Sequence, residues 1–131
     1  MTAILVVDDD AALRTTMGKL LTRAGHTVLE AANGVEAEEI VAKNAVELLI
    51  TDIIMPDKEG LMLVRDLKRR TPGLRIIAMS GGGRTGAFSL LEAASQFGAD
   101  AVLRKPFRGG DLIKTVEAAM GSENGAPSSA G

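Results

Sequence analysis

The chain has 131 residues, enough for one domain with a packed core and too few for two of ordinary size. Fifteen Lys and Arg against 17 Asp and Glu leave a formal net charge of −2, which argues against a nucleic-acid binder working through its global field. There is no cysteine, so disulfides, thiolate metal sites and a cysteine nucleophile are excluded, and no apolar run approaches the roughly 20 residues of a membrane span.

Only 2% of the residues are aromatic, so aliphatics, alanine and methionine must fill the core, with Met17, Met55, Met62, Met79 and Met120 expected in or near it. The opening MTAILVVDDD lacks the basic start and cleavage site of a signal peptide, and the expected location is cytoplasmic. Residues 3–7 form an apolar run with the length and β-branching of a strand. Leu13, Met17, Leu20 and Ala24 then share a helical stripe, with Asp10 placed as N-cap and Gly25 just past the end. A strand at 27–29 leads to a second helix, which opens after Asn33-Gly34 and carries Val35, Ile40 and Val41. A strand at 46–51 precedes a third helix on Leu61, Val64 and Leu67, stopped by Thr71-Pro72-Gly73. The basic run Lys68-Arg69-Arg70 closes that helix and complements its dipole. A strand at 74–79 leads to a fourth helical stretch through Phe88, Leu91 and Ser95, and a strand at 101–103 to a fifth on Leu112, Ile113, Val116 and Met120. Residues 121–131 are small and polar, so residues 1–120 are expected to form the domain and the rest a disordered tail or linker.

Five such units imply an α/β fold, a doubly wound five-stranded parallel sheet with helices on both faces, because parallel strands need right-handed crossovers. Functional groups in such a sheet gather at the carboxyl ends of the strands. Asp8-Asp9-Asp10 follows the first strand, Asp52 the third, Ser80 and Gly81-Gly82-Gly83 the fourth, and Lys105-Pro106 the fifth. Crowded acids resist ionisation unless a cation joins them, and Mg²⁺ is the common hard ion beside phosphate. One carboxylate could then attack a phosphoryl group, whose oxygens Mg²⁺, the Lys105 ammonium and the Ser80 hydroxyl could neutralise.

Here the sequence resembles the receiver domains of two-component response regulators. The resemblance is carried by Ile4-Leu5-Val6-Val7-Asp8-Asp9, by Asp52-Ile53-Ile54-Met55-Pro56 with Gly60, by Ala78-Met79-Ser80-Gly81 and by Lys105-Pro106-Phe107, and covers about residues 3 to 120. It implies the flavodoxin-like strand order 2-1-3-4-5. It also implies that Asp52 accepts the phosphoryl group and is itself a Mg²⁺ ligand, that Asp9 binds Mg²⁺ directly, that Asp8 holds a metal-bound water, and that the Ile54 backbone carbonyl completes the ligands. Ser80 and Lys105 would contact the phosphoryl oxygens. The implied donor is a phosphohistidine on a sensor histidine kinase or histidine phosphotransfer protein, and the receiver itself catalyses the transfer. The output expected is altered binding of a downstream protein target, with no output domain in this chain, no direct nucleic-acid contact and no membrane. The first helix around Arg14, Gly18 and Leu21, and the face from fourth to fifth helix, are the expected contact surfaces.

Two departures from the family pattern stand out. Val102 occupies the place, three residues before the lysine, where the family commonly has Tyr or Phe, so an aromatic toggle is absent. The triple glycine 81–83 makes its loop permissive, and a mobile loop is expected there. Ile54 and Gly82 offer no polar side chain to position water, so slow self-hydrolysis is expected. His26, the sole histidine, sits in a Gly25-His26-Thr27 turn and reads as structural. The glycine run lacks the Lys-Ser or Lys-Thr of a nucleotide P-loop. Asp8-x-Asp10 also resembles the nucleophile motif of haloacid-dehalogenase-like phosphatases, but Ala12 stands where Thr or Val is expected. A receiver-like interaction domain that never turns over phosphate is the third reading.

Overall fold

Along β1 (Ala3–Val7), Ile4 and Val6 join the core on one side of a sheet while Leu5 and Val7 join a second core on the other. Side chains alternate across a strand, so a run apolar at every position can be satisfied only when both faces are covered. The same holds for β3 (Leu48–Asp52) and β4 (Arg75–Ser80), which are buried almost throughout. The computed structural model describes residues 2–53, 60–80 and 95–124. With β2 (Thr27–Ala31) and β5 (Ala101–Arg104) at the edges, all pairings are parallel and the strand order is 2-1-3-4-5. The doubly wound sheet read from the sequence is the one observed.

On one face lie α1 (Ala11–Arg23) and α4 (Gly109–Asn124), which bring Met17, Leu21, Leu112, Val116 and Ala119 onto Ile50, Ile77 and Met79. On the other lie α2 (Gly34–Lys43) and α3 (Gly60–Arg70), with Ala37, Leu63, Val64 and Leu67 against Leu49 and Ile76. Asp10 caps α1, accepting from the Leu13 N–H at 3.1 Å. The helix stops where Gly25 takes φ 102°, which lets the His26 N–H reach back to the Leu21 carbonyl. Asn33 caps α2, and Glu36 reaches back to the Ala32 N–H.

Several sequence expectations need correction. Leu21 is fully buried in the core and Gly18 is buried beneath Glu30, so neither can serve as a partner contact on α1. Met62 is 37% exposed and Val35 54%, because each turns away from the sheet its helix covers. Strands β3, β4 and β5 each run one residue further than expected, making Asp52 and Ser80 terminal strand residues. Helix α4 continues to Asn124, four residues past Met120, and residues 125–131 lie outside the described residues. Residues 95–97 form a helical turn, while the rest of the expected fourth helical stretch, the glycines 81–83 and Met55 lie outside the described residues.

Candidate functional site

Register brings the polar residues together. Val7 lies beside Thr51, so the next residues, Asp8 and Asp52, emerge side by side. Asp52 pairs with Met79, the residue before Ser80. Ser80 pairs with Arg104, and the Lys105 N–H donates to the Ser80 carbonyl at 2.8 Å. Carboxylate oxygens of Asp8, Asp9 and Asp52 all lie within 4.8 Å of one another. Asp8 is fully buried and Asp52 nearly so, whereas Asp9 is exposed.

Lys105 Nζ bridges the two buried acids, at 2.6 Å from Asp8 Oδ2 and 3.0 Å from Asp52 Oδ2. The other Asp8 oxygen, Oδ1, accepts from the Asp10 N–H at 2.9 Å. Both oxygens of Asp8 are thus engaged, which leaves it poorly suited to the nucleophile's part that the phosphatase reading requires. The Thr51 hydroxyl donates to the Asp52 carbonyl at 2.9 Å and fixes the strand end. Ser80 is 1% exposed, yet its Oγ has no hydrogen-bond partner among the described residues. A buried hydroxyl without a partner is costly, and an oxygen-rich ligand would satisfy it.

Burial alone would lower the Lys105 pKa, but its hydrogen bonds to Asp8 and Asp52 and the attraction of their charges outweigh burial and raise it above 10.5. The contribution to stability is therefore fully present below the ordinary lysine value and lost as pH rises through the raised one. Comparing metal-free wild type with Lys105→Met by urea unfolding, followed by circular dichroism, should give a stability difference that holds from neutral pH to about pH 10 and shrinks above it. A difference that grew above that pH would contradict the assignment.

The acid cluster and the Ser80 hydroxyl, which has no partner among the described residues, suit a hard cation beside a phosphoryl group. Of the residues singled out in the sequence, Asp8, Asp9, Asp52 and Lys105 converge, Ser80 ends the adjoining strand, and Ile54 lies outside the described residues. Arg14 was missed as part of this site. Its Nη1 donates to the Asp8 carbonyl at 2.7 Å and its Nε to Glu30 Oε1 at 3.2 Å. The signal was present, since a cation near a helix N-terminus opposes the dipole and calls for acceptors nearby.

A family model for the response regulator receiver domain matches residues 4–117. The chain belongs to that family. Among curated relatives, the receiver is 40% identical over 119 residues to the DNA-binding transcriptional regulator NtrC of Azospirillum brasilense, covering 91% of this chain and 24% of that protein. It is 35% identical over 116 residues to the sensor kinase CckA of Brucella abortus, covering 87% of this chain and 12% of that protein. The receiver thus spans a quarter or less of the length of these relatives. A receiver domain protein from Clostridium thermocellum superposes with a TM-score of 0.86 at 29% identity, covering 95% of this chain and 98% of that one. The receiver is a signalling phosphoacceptor module of the two-component type, and no helix among its described residues is long and apolar enough to cross a membrane.

Proposed function

We propose that Asp52 is the phosphoacceptor, taking a phosphoryl group from a phosphohistidine in a Mg²⁺-dependent step. The observation that supports this is the convergence of Asp8, Asp9 and Asp52 within 4.8 Å of one another, with the Lys105 ammonium bridging Asp8 and Asp52. A carboxylate oxygen of Asp52 attacks phosphorus, the P–N bond to the donor imidazole breaks, and the imidazole nitrogen leaves with the bonding electrons and takes a proton. Asp8, Asp9 and Asp52, with the Ile54 carbonyl, would hold Mg²⁺. When bound, the ion would offset the charge shared between these acids and the phosphoryl oxygens. Of the three donors on Lys105, two are used by Asp8 and Asp52, and the third can meet a phosphoryl oxygen. Ser80 Oγ donates to another.

A groove of about 360 Å³, lined by Asp10, Leu13, Lys105, Pro106 and Phe107, opens beside the site between α1 and the turn after β5. It is suited to the surface of a sensor histidine kinase or histidine phosphotransfer protein, and replaces the Leu21 region as the contact expected on α1. A downstream protein target, a cytoplasmic location, a domain that closes with α4 a few residues beyond the 1–120 expected, and slow loss of the phosphoryl group remain parts of this reading.

Intact mass after incubation with acetyl phosphate, with and without Mg²⁺, tests it. A Mg²⁺-dependent gain of one phosphoryl group is expected; a gain without the ion would reject the metal's part. No gain, with no Mg²⁺ binding at millimolar ion, would favour the domain that never turns over phosphate. Ser80→Ala should slow the transfer by roughly 10- to 100-fold, as loss of one donor to developing charge does. The same change should leave stability equal or higher, because it removes a buried hydroxyl that has no partner among the described residues. Rates from mass-spectrometric time courses and melting midpoints check the two halves separately.

A further inference from the structure

We propose that Arg14 is a positioning residue for the metal-binding carboxylates: anchored by Glu30, its guanidinium clamps the Asp8 carbonyl and so sets where the Asp8 and Asp9 side chains stand. The inference rests on the Mg²⁺ site proposed above. Register pairing of β1 ends at Val7, so the Asp8 carbonyl lies past the last paired residue. Arg14 Nη1 meets it there at 2.7 Å, one helical turn after Asp10, whose carbonyl accepts the Arg14 N–H.

The other polar groups of Asp8 are held as well. Its N–H donates to the Ala31 carbonyl at 3.2 Å, its Oδ1 accepts from Asp10 and its Oδ2 from Lys105. Asp9 hangs between these fixed points on an exposed side chain, so the backbone on its N-terminal side governs where its carboxylate can reach. Release of the Asp8 carbonyl would let the Asp8–Asp9 peptide turn and scatter the cluster.

Glu30 lies on the edge strand beside Val6, and its carboxylate rests against α1 at Gly18, where a Cβ would come within 3.2 Å of Oε2. Gly18 therefore leaves room for the anion that orients Arg14. Glu30 is 40% exposed, and ion pairs at that exposure contribute little stability of their own. Orientation of Asp8 is the consequence that matters.

The test is Mg²⁺ titration followed by backbone amide NMR shifts on wild type, Arg14→Met, Arg14→Lys and Glu30→Ala, with melting midpoints measured without metal. Arg14→Met should weaken Mg²⁺ binding about tenfold, the scale seen when groups that orient metal ligands are removed. Arg14→Lys should recover most of the affinity, because a single donor suffices for the carbonyl, and Glu30→Ala should weaken binding less than Arg14→Met. A lowered melting midpoint with unchanged Mg²⁺ affinity in Arg14→Met, or in Glu30→Ala if the first does not fold, would reduce Arg14 to a structural contact and overturn the proposal. Absence of Mg²⁺ binding by wild type would instead overturn the metal site, and this inference with it.

Discussion

Asp52→Asn is expected to take up no phosphoryl group from acetyl phosphate or a phosphohistidine donor, while remaining folded. An amide oxygen lacks the negative charge that makes the carboxylate a nucleophile. Asp8 cannot substitute, because it is fully buried with one oxygen on the Asp10 N–H and the other on Lys105. Asp9 is exposed and carries no comparable bridge to Lys105 among the described residues. The fold should gain rather than suffer. Asp52 and Asp8 are like charges sharing one ammonium, and neutralising one relieves their repulsion while Lys105 keeps its 2.6 Å contact to the other. The metal-free melting midpoint of Asp52→Asn should therefore equal or exceed that of wild type, and the further rise on adding Mg²⁺ should be smaller. Peptide mapping of the labelled wild type should place the group on Asp52. Labelling of the variant at the wild-type rate would remove Asp52 from the reaction.

Gly60→Ala should be the most damaging glycine-to-alanine substitution among the described residues. Gly60 opens α3, and its N–H donates to the Ile53 carbonyl at 3.0 Å. A Cβ there would lie 2.2 Å from Ile53 Cα and 2.3 Å from the Asp52 carbonyl oxygen. These are backbone atoms and cannot swing aside, so the start of α3 must withdraw from the end of β3. Alanine's helix propensity would favour the variant by at most about 1 kcal/mol. Overpacking against fixed atoms costs on the order of 3 kcal/mol, so the clash wins. A fall in melting midpoint of roughly 10 °C is expected for a domain of this size. Because the clash falls on the peptide after Asp52, phosphoryl uptake should drop as well in whatever fraction stays folded. Gly73→Ala is the control: a Cβ there meets nothing within 4 Å and should change neither quantity. Equal melting of the two variants would show that α3 can move away from the strand end at little cost.

Much of the fold was legible because its signals are local. The period of two in β1, β3 and β4, apolar on both faces, required cover on both sides, and the cap at Asp10 and stop at Gly25 were readable one by one. The resemblance to receiver domains drew attention to Gly60 without showing why alanine would fail there. The α1 contact surface was misread where it rested on the family resemblance: Leu21 sits a turn after Met17 and joins it in the core, while the Arg14 side chain turns to the acid cluster.

By itself the sequence determined the strand and helix periods, the doubly wound sheet and the identity of the polar residues at the strand ends, because each depends on neighbours a few residues apart. Tertiary structure alone decided what those residues do to one another. Lys105 reaches Asp8 across 97 positions and Asp52 across 53, Arg14 reaches Glu30 across 16, and whether Ser80 Oγ finds a partner among the described residues depends on everything packed around it. Distances of 2.6 to 3.2 Å between such groups follow from sheet register and helix placement, which chain order constrains only through the summed packing of the whole domain.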